Sequence, residues 1–352
     1  MPSSPAQLRA SKEAHDHYMP KLPNPIQNES SPLQRRYQLA LTTFTKLLTI
    51  DRHPSRENIL RLACTADEFM SCTMDPDQTR FFHEVNNNTA IPYRNKPTPQ
   101  TTWNHKVFLL VQADLLPTGW PNKLSAKTRA TLQMESPVIY RTLGQVLRCI
   151  IDIIGERGDG RGVSVGLDLL RSINAGVWEG SDRELIQIEG IGPASLEKLS
   201  QAGVKNIRRL SAMPFYHIER VLRRNPPFGQ NMLRRVSGFP LLKMDIEVLD
   251  GNDRAGSNGG EKGAGGLGWE IKITLGYGNE EVPTWRQKIP WVTFVIEGDD
   301  GRLVWFWRGS VKRLKGGKLM HVKLEAGKGE GLTAVFACEE IVGTKIETKF
   351  KI

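Results

Sequence analysis

The stretch LIQIEGIGPASLEKL, from Leu185 to Leu199, decides how the middle of the chain folds. It predicts a short helix, a turn at Gly190-Ile191-Gly192, and a second helix that begins with Pro193. Glycine permits positive φ and close backbone approach, and the first amides of a helix have no intrahelical acceptor. The pattern is typical of a helix–hairpin–helix, in which such amides and the helix dipole bind a phosphate without reading bases. Ile191 is expected to fill the core between the two helices.

Basic residues cluster around this hairpin and indicate a polyanionic partner. Residues 182–243 contain eleven basic and five acidic residues, a net charge of +6 out of +10 for the whole chain. A second basic helical pair is predicted around the loop RRNPPFG, residues 223–229. The residues predicted to contact the nucleic-acid backbone are Gly190, Ile191, Gly192, Lys198, Lys205, Arg208, Arg209, Arg223 and Arg224. Hairpins of this kind also act as structural packing units, so an interaction module without DNA contact is an open alternative.

The residues before the hairpin have the periodicity of an all-α helical bundle over residues 34–181. They follow a segment, residues 1–33, whose six prolines and lack of periodicity predict a disordered tail. The longest predicted helix runs from Met134 to Ile154. Arg141 and Arg148 lie two turns apart on its polar face, which also includes Asp152.

After the hairpin region, residues 182–240, the period of the apolar residues changes to two. Leu242, Met244, Ile246 and Val248 alternate with charged residues, and six further strand-like runs follow. Residues 241–352 are therefore predicted to form an antiparallel β-sandwich of immunoglobulin-like type. Residues 250–268 are rich in glycine and are predicted to be a flexible insertion in that sandwich. The fold class is thus multidomain, α followed by β.

Several classes of protein are disfavoured by what the sequence lacks. No apolar run reaches the roughly 18 residues that span a bilayer, so no membrane partner is expected. The four cysteines form no Cys-x-x-Cys pair, which argues against a metal site and for a reducing compartment. There is no phosphate-binding loop, nucleophile elbow or zinc-protease motif, so no catalytic residue is predicted.

Five stretches of the sequence carry a resemblance to a known family: TADEF (65–69), HKVFLLVQADL (105–115), IEGIGPASLEKLSQAGV (188–204), RNPPFG (224–229) and SGFP (237–240). Together with the order of the predicted domains, they resemble the C-terminal Sec63-type module of superfamily-two helicases. RNPPFG is most similar to the meiotic crossover DNA helicases. The resemblance covers residues 35–352 and leaves the motor domains of that family without a counterpart.

The resemblance implies a non-catalytic C-terminal part of a nuclear, meiotic ATP-dependent DNA helicase. Its expected partners are single-stranded or branched DNA, the helicase motor domains and recombination proteins. No cofactor is expected in this chain, since ATP and Mg²⁺ would bind the missing motor domains. In the family a long bundle helix lines the channel of the translocating strand, which assigns a strand-guiding role to Arg141 and Arg148. An accessory module of a splicing-type RNA helicase is a further alternative.

Overall fold

A computed structural model describes residues 31–96, 103–121, 124–249, 268–325, 327 and 329–352. In these ranges an α-helical half precedes an all-β half, which confirms the predicted order of fold classes. The helices are α1 (Pro32–Tyr37), α2 (Leu41–Leu47), α3 (Arg56–Ala63), α4 (Pro76–Asn88), α5 (Trp103–Asp114), α6 (Ala126–Glu156), α7 (Gly160–Ala175), α8 (Pro193–Gln201), α9 (Ile207–Ser211), α10 (Phe215–Leu222) and α11 (Phe228–Val236). The strands are β1 (Leu242–Leu249), β2 (Gly268–Tyr277), β3 (Trp291–Gly298), β4 (Leu303–Ser310), β5 (Lys318–Glu325), β6 (Gly331–Cys338) and β7 (Ile346–Lys351).

Helix α6 is the axis of the bundle, and α1, α3 and α7 pack against it. The Ser125 side chain caps its first turn by accepting a hydrogen bond from the Thr128 amide. Helical spacing predicts an apolar face that includes Leu143, Leu147 and Ile150. This prediction is confirmed, since all three are fully buried. Burial of three such side chains contributes roughly 1.5–3 kcal/mol each, so α6 is held by packing on its neighbours rather than by its own helix propensity.

The N-terminal boundary of the bundle differs from the prediction. Helix α1 begins at Pro32 and buries Leu33, whereas the predicted tail extends to residue 33. The helical periodicity of residues 35–50 predicts one helix there. The structure has two, because Gln38 adopts a left-handed conformation with φ 54° and ends α1. Residues 1–30 of the predicted tail lie outside the described residues.

The sandwich consists of two antiparallel sheets, with strand orders β1-β2-β5 and β4-β3-β6-β7. The alternation predicted from sequence is confirmed on β2, where Ile271, Ile273 and Leu275 are fully buried between the sheets. In the constant-type immunoglobulin fold the first, second, fourth and fifth strands form the four-stranded sheet. Here β4 pairs with β3 in the other sheet, so the sheet that contains β1 and β2 has three strands. All but the last residue of the predicted Gly-rich insertion lies outside the described residues, and Gly268 begins β2.

The hairpin helices and the sandwich share one hydrophobic core. Leu199, Ile218 and Met232 from the helices belong to the same buried cluster as Ile273 and Phe294 from the two sheets. The hairpin region is therefore fixed on the sandwich rather than joined to it by a linker. Among the helices that the structure describes, none is long and apolar enough for a membrane span.

Candidate nucleic-acid interface

The predicted hairpin turn forms between a short 3₁₀ helix, Glu184–Gln187, and α8. The Ile191 amide donates a hydrogen bond of 3.1 Å to the Ile188 carbonyl oxygen, and the Ile191 side chain is buried as expected. Gly190 has a φ of 92°, which an L side chain rarely adopts. Gly192 differs, because its φ of −95° and ψ of 178° are ordinary extended values. Only one of the two glycines is therefore required by the backbone conformation of the turn.

The N-terminus of α8 is open. Gly192 is its N-cap and offers no side-chain acceptor, and Pro193 follows at the first helical position. No described residue accepts a hydrogen bond from the amides of Gly192, Ala194 or Ser195. A Cβ placed on Gly192 would meet no heavy atom within 4 Å. Three amides and the positive end of the helix dipole thus face solvent, the arrangement that binds an oxyanion.

Two arginines that were not predicted hold the turn in place. Arg235 on α11 donates a hydrogen bond of 2.7 Å to the Glu189 carbonyl oxygen, and Arg286 on the loop between β2 and β3 donates one of 2.7 Å to that of Gln187. Burial lowers the pKa of Arg286, although it remains a cation at neutral pH. Both guanidinium groups add positive charge beside the open amides. Arg235 has a sequence signal in the basic second helical pair, whereas Arg286 lies 99 residues from its acceptor and has none.

Five of the predicted cations are exposed and free of carboxylate partners. No described carboxylate is within salt-bridge distance of Lys205, Arg208, Arg209, Arg223 or Arg224. Helix α9, which carries Arg208 and Arg209, packs on α11, and α10, which Arg223 terminates, packs on α8. The structure therefore brings these side chains and the turn together in one unit of four helices, α8 to α11, which we call the hairpin unit.

Lys198 has a more local contact than the other predicted cations. Its ammonium group donates a hydrogen bond of 3.3 Å to the Leu222 carbonyl oxygen, at the last residue of α10. This contact satisfies a carbonyl without an intrahelical donor and complements the negative end of the α10 dipole. Its side chain is nevertheless exposed, so the same ammonium can also approach an external anion.

The two arginines of the predicted strand-guiding helix have different environments. Arg141 on α6 is exposed. The Arg148 guanidinium instead donates a hydrogen bond of 2.9 Å to the Glu339 carboxylate, and its Nη2 lies 3.8 Å from Glu340. The polar face of α6 is therefore not open to solvent along its C-terminal half. That half faces the sandwich, and Arg148 pairs with a carboxylate 191 residues away.

The contact between α6 and the sandwich is a buried network of charges. The Asp152 carboxylate is fully buried and accepts hydrogen bonds of 2.5 Å from the Tyr37 hydroxyl and 2.8 Å from Arg308. Arg308 Nε also lies 2.6 Å from the Glu339 carboxylate. Each buried charge therefore has an opposite charge in contact, the condition under which buried ions are tolerated.

The pKa values in this network follow from burial and the neighbouring charges. Burial lowers the pKa of Arg308, but the carboxylates of Asp152 and Glu339 raise it more, so it lies above its ordinary value. Burial raises the pKa of Glu339, and Arg308 and Arg148 lower it more strongly, so Glu339 stays ionised. Glu340 at the rim has weaker compensation, and burial together with the charge of Glu339 raises its pKa to about 7. Glu340 is thus the member that titrates near neutral pH.

An open cleft of about 1180 Å³ lies between the bundle and the sandwich beside this network. Its lining includes Trp285, Trp291 and Ile289 from the sandwich together with Arg36 and Leu33 from α1. Trp291 and Ile289 are 47% and 43% exposed. The cleft therefore combines apolar and charged surface, which suits a protein segment better than a backbone of phosphates alone.

A comparison with protein families agrees with this architecture. The family model of the Sec63 Brl domain matches residues 32–350, nearly the whole described chain. The chain belongs to this family. The resemblance stated from the sequence is thereby confirmed, together with its extent over the bundle, the hairpin region and the sandwich.

The relatives of this Sec63 Brl domain are larger proteins. It is 25% identical over 219 residues to the ATP-dependent DNA helicase MER3 of Saccharomyces cerevisiae, covering 60% of this chain and 18% of the relative. It is 24% identical over 337 residues to the probable ATP-dependent DNA helicase HFM1 of Homo sapiens, covering 92% of this chain and 22% of the relative. A rice (Oryza sativa subsp. japonica) ATP-dependent DNA helicase MER3 homolog is 22% identical over 241 residues, covering 65% of this chain and 19% of the relative. The chain spans about a fifth of the length of these curated relatives.

The structure of this Sec63 Brl domain explains why the RNPPFG motif ends in a glycine, Gly229. A Cβ on Gly229 would lie 2.1 Å from the Phe215 carbonyl oxygen, so only glycine fits between the starts of α10 and α11. The Gly229 amide also donates a hydrogen bond of 2.8 Å to the buried Glu219 carboxylate. The motif therefore fixes the geometry of the second helical pair.

Proposed function

We propose that this chain is the non-catalytic C-terminal part of a meiotic ATP-dependent DNA helicase, in which it binds the backbone of single-stranded DNA. The observation that carries the proposal is the open turn at Gly190–Gly192, with its unpartnered amides among exposed cations. The relatives named ATP-dependent DNA helicases support the class of the whole protein. ATP hydrolysis and strand separation would then be activities of motor domains outside this sequence, and a nuclear location follows from the same proposal.

The electrostatics support a phosphate ligand at the hairpin. Amide donors at a helix N-terminus and guanidinium groups both favour an anion, and here they occur in one packed unit. Arg208, Arg209, Arg223 and Arg224 form no salt bridge in the described part of the chain, and the charge of Glu184 acts on Arg208 alone. Four arginines on one small unit repel one another, and a polyanion relieves that repulsion. We propose that Arg141 contacts the strand directly along α6, while Arg148 positions α6 through its ion pair with Glu339 of the sandwich.

The experiment is fluorescence anisotropy of a labelled single-stranded oligonucleotide, titrated with the protein over a range of salt concentrations. The test variant replaces Arg208, Arg209, Arg223 and Arg224 with Glu. Each phosphate contact contributes about 0.7 to the slope of log affinity against log salt concentration on a single strand. We therefore expect the slope to fall by up to about 2.8.

A matched control variant separates the site from the total charge. It replaces four exposed cations outside the hairpin unit with Glu: Arg52, Lys127, Lys349 and Lys351. The charge change is the same, and we expect the slope to stay near that of the parent protein. Equal slopes for the two variants would contradict a hairpin site, and tighter binding of an RNA strand of the same sequence would contradict the assignment to DNA.

A protein-docking function is the second candidate, and the cleft between the bundle and the sandwich favours it. Its exposed Trp291 and Ile289 are large apolar side chains of the kind that bind partner side chains. We propose that the helicase motor domains or recombination proteins dock here. Alanine substitution of Trp291 should weaken such an association without changing the affinity for single-stranded DNA.

A further inference from the structure

Two aromatic side chains lie on the surface at the start of α10. Phe215 is 40% exposed and Tyr216 is 64% exposed. Their ring centroids are 5.6 Å apart, and the planes meet at 82°, an edge-to-face arrangement. Neither ring is required for the shared core of this region, which Ile218 and Leu222 of the same helix fill. This aromatic pair is therefore free to contact a ligand.

The surroundings of the aromatic pair are basic. Arg220 lies one helical turn after Tyr216, so the two side chains share the outward face of α10. Arg223 and Arg224 follow directly at the end of the helix and are exposed. The acidic residue of this helix, Glu219, is buried and accepts a hydrogen bond from the Gly229 amide instead of facing outward. The face thus presents an aromatic ring and cations without an adjacent exposed carboxylate on α10.

The backbone under the pair is rigid. The Phe215 carbonyl oxygen lies against Gly229 so closely that a Cβ there would be 2.1 Å away. Helix α10 also packs on both α8 and α11. The backbone of the aromatic pair therefore has a fixed place in the hairpin unit. A ligand that binds there orders few protein groups, so little conformational entropy of the protein is lost on binding.

We propose that Tyr216 stacks on a base of a single-stranded nucleic acid, with Phe215 supporting its ring and Arg220 and Arg223 binding the flanking phosphates. This inference rests on the proposed function, since it adds a base contact to a strand bound at the hairpin. Unpaired bases expose their π-faces and stack on aromatic side chains without regard to sequence. Stacking would also favour a single strand over a duplex, a preference that contacts with phosphates alone do not give.

The positive charge of this face favours a nucleic acid over a protein partner. An exposed aromatic side chain by itself suits either a base or a protein side chain. Arg220 one turn from Tyr216, with Arg223 and Arg224 at the C-terminal end of the same helix and its acid Glu219 buried, favours a ligand that is both aromatic and anionic. A strand of single-stranded nucleic acid has both properties in every nucleotide.

The test is a cycle of two changes, one in the protein and one in the ligand. The affinity of the parent protein and of Tyr216→Ala is measured for a normal single-stranded oligonucleotide and for an abasic strand of the same length. We expect Tyr216→Ala to bind the normal strand about fivefold to a hundredfold more weakly and to bind the abasic strand like the parent. The salt slope should stay unchanged, because no charge is removed.

Three further variants make the result specific. Tyr216→Phe keeps the ring and should retain the affinity. Leu319→Ala removes a large apolar side chain of the sandwich that is 48% exposed, and it should bind both strands like the parent. Thermal unfolding of Tyr216→Ala should be nearly unchanged, since the side chain is mostly exposed. An arginine variant limited to Arg208→Glu and Arg209→Glu reports on the hairpin site separately through its salt slope, because neither residue belongs to the proposed stacking site.

Two results would overturn the stacking inference. One is an equal loss on the normal and abasic strands, which would mean that Tyr216 contacts the backbone or supports the fold. The other is an unchanged affinity of Tyr216→Ala for the normal strand. If either occurs while the arginine variant still loses its salt slope, the hairpin proposal stands and only the base contact is wrong. If the parent protein binds neither strand, both are wrong.

Discussion

Substitution of the two glycines of the hairpin turn should affect different properties: stability at Gly190 and affinity for single-stranded DNA at Gly192. At Gly190, φ is 92°, and an L side chain in left-handed conformations costs about 1–2 kcal/mol. A Cβ there would also lie 2.5 Å from Arg235 Nη1 and displace a guanidinium that donates to the Glu189 carbonyl oxygen. Loss of that hydrogen bond adds about 0.5–1.5 kcal/mol. We therefore expect Gly190→Ala to lower the free energy of unfolding by roughly 2–3 kcal/mol.

Gly192 has no such constraint within the protein. Its backbone is extended, and a Cβ on it would meet nothing within 4 Å. Gly192→Val should therefore lower the free energy of unfolding by no more than about 1 kcal/mol, the cost of valine in place of glycine at the N-cap of α8. The added side chain would instead occupy the space through which a phosphate approaches the amides of α8. The loss of one or two charge-assisted hydrogen bonds predicts a drop of about tenfold to a hundredfold in affinity for single-stranded DNA.

Urea denaturation followed by circular dichroism measures the first effect, and fluorescence anisotropy at fixed salt measures the second. The expected pattern is a destabilised Gly190→Ala and a stable Gly192→Val with weak binding. A stable Gly192→Val that binds like the parent protein would refute the claim that phosphate approaches the turn. A Gly192→Val as destabilised as Gly190→Ala would refute the geometry described for the turn itself.

Two further predictions concern the charged contact between the bundle and the sandwich. Arg308→Ala removes the buried counter-charge that Asp152 and Glu339 share, so that among the described cations Asp152 keeps only Arg36 at 3.4 Å and Glu339 keeps only Arg148 at 2.9 Å. We expect this change to cost about 3 kcal/mol in urea denaturation. Arg302→Ala removes the more exposed pairs with Asp300 and Glu330 and should cost about 1 kcal/mol or less, and similar losses for the two variants would contradict the role of burial. Folding raises the pKa of the Glu340 carboxyl from 4.5 to about 7. Between these pH values Glu340 is protonated in the folded protein but ionised in the unfolded chain, so the free energy of unfolding falls as the pH rises from 4.5 to 7. Glu340→Gln should therefore stabilise the protein by roughly 1–3 kcal/mol at pH 8 and little at pH 4, and a difference independent of pH would contradict this.

The elements of this fold were predictable where local chemistry determines them. Apolar residues at helical spacing predicted the buried face of α6, and strict alternation predicted strands such as β2. The pattern Gly-Ile-Gly-Pro predicted the turn, because proline at the first helical position and glycine before it serve local needs of the backbone. It did not show which glycine has positive φ, since that depends on how the turn packs.

The environment of Arg148 could not be predicted in the same way. Helical periodicity shows that Arg148 and Asp152 share a polar face, but not whether that face meets water or another domain. Their partners Arg308 and Glu339 come from the sandwich, more than 150 residues later. Arg286 is a similar case, since its contact with the Gln187 carbonyl oxygen joins a sandwich loop to the hairpin. Only the tertiary structure brings such pairs together.

The same distant pairing has a consequence for synthesis of the chain on the ribosome. Asp152 is made 156 residues before Arg308, which at about 5–20 residues per second means a delay of roughly 8–30 s. During that interval the bundle has Tyr37 and the exposed Arg36 beside the aspartate but lacks the buried Arg308 of the sandwich. We therefore expect this end of the nascent bundle to stay hydrated and loosely packed until β4 is made. The N-terminal half of this domain is thus expected to wait for its C-terminal half before it becomes resistant to proteases.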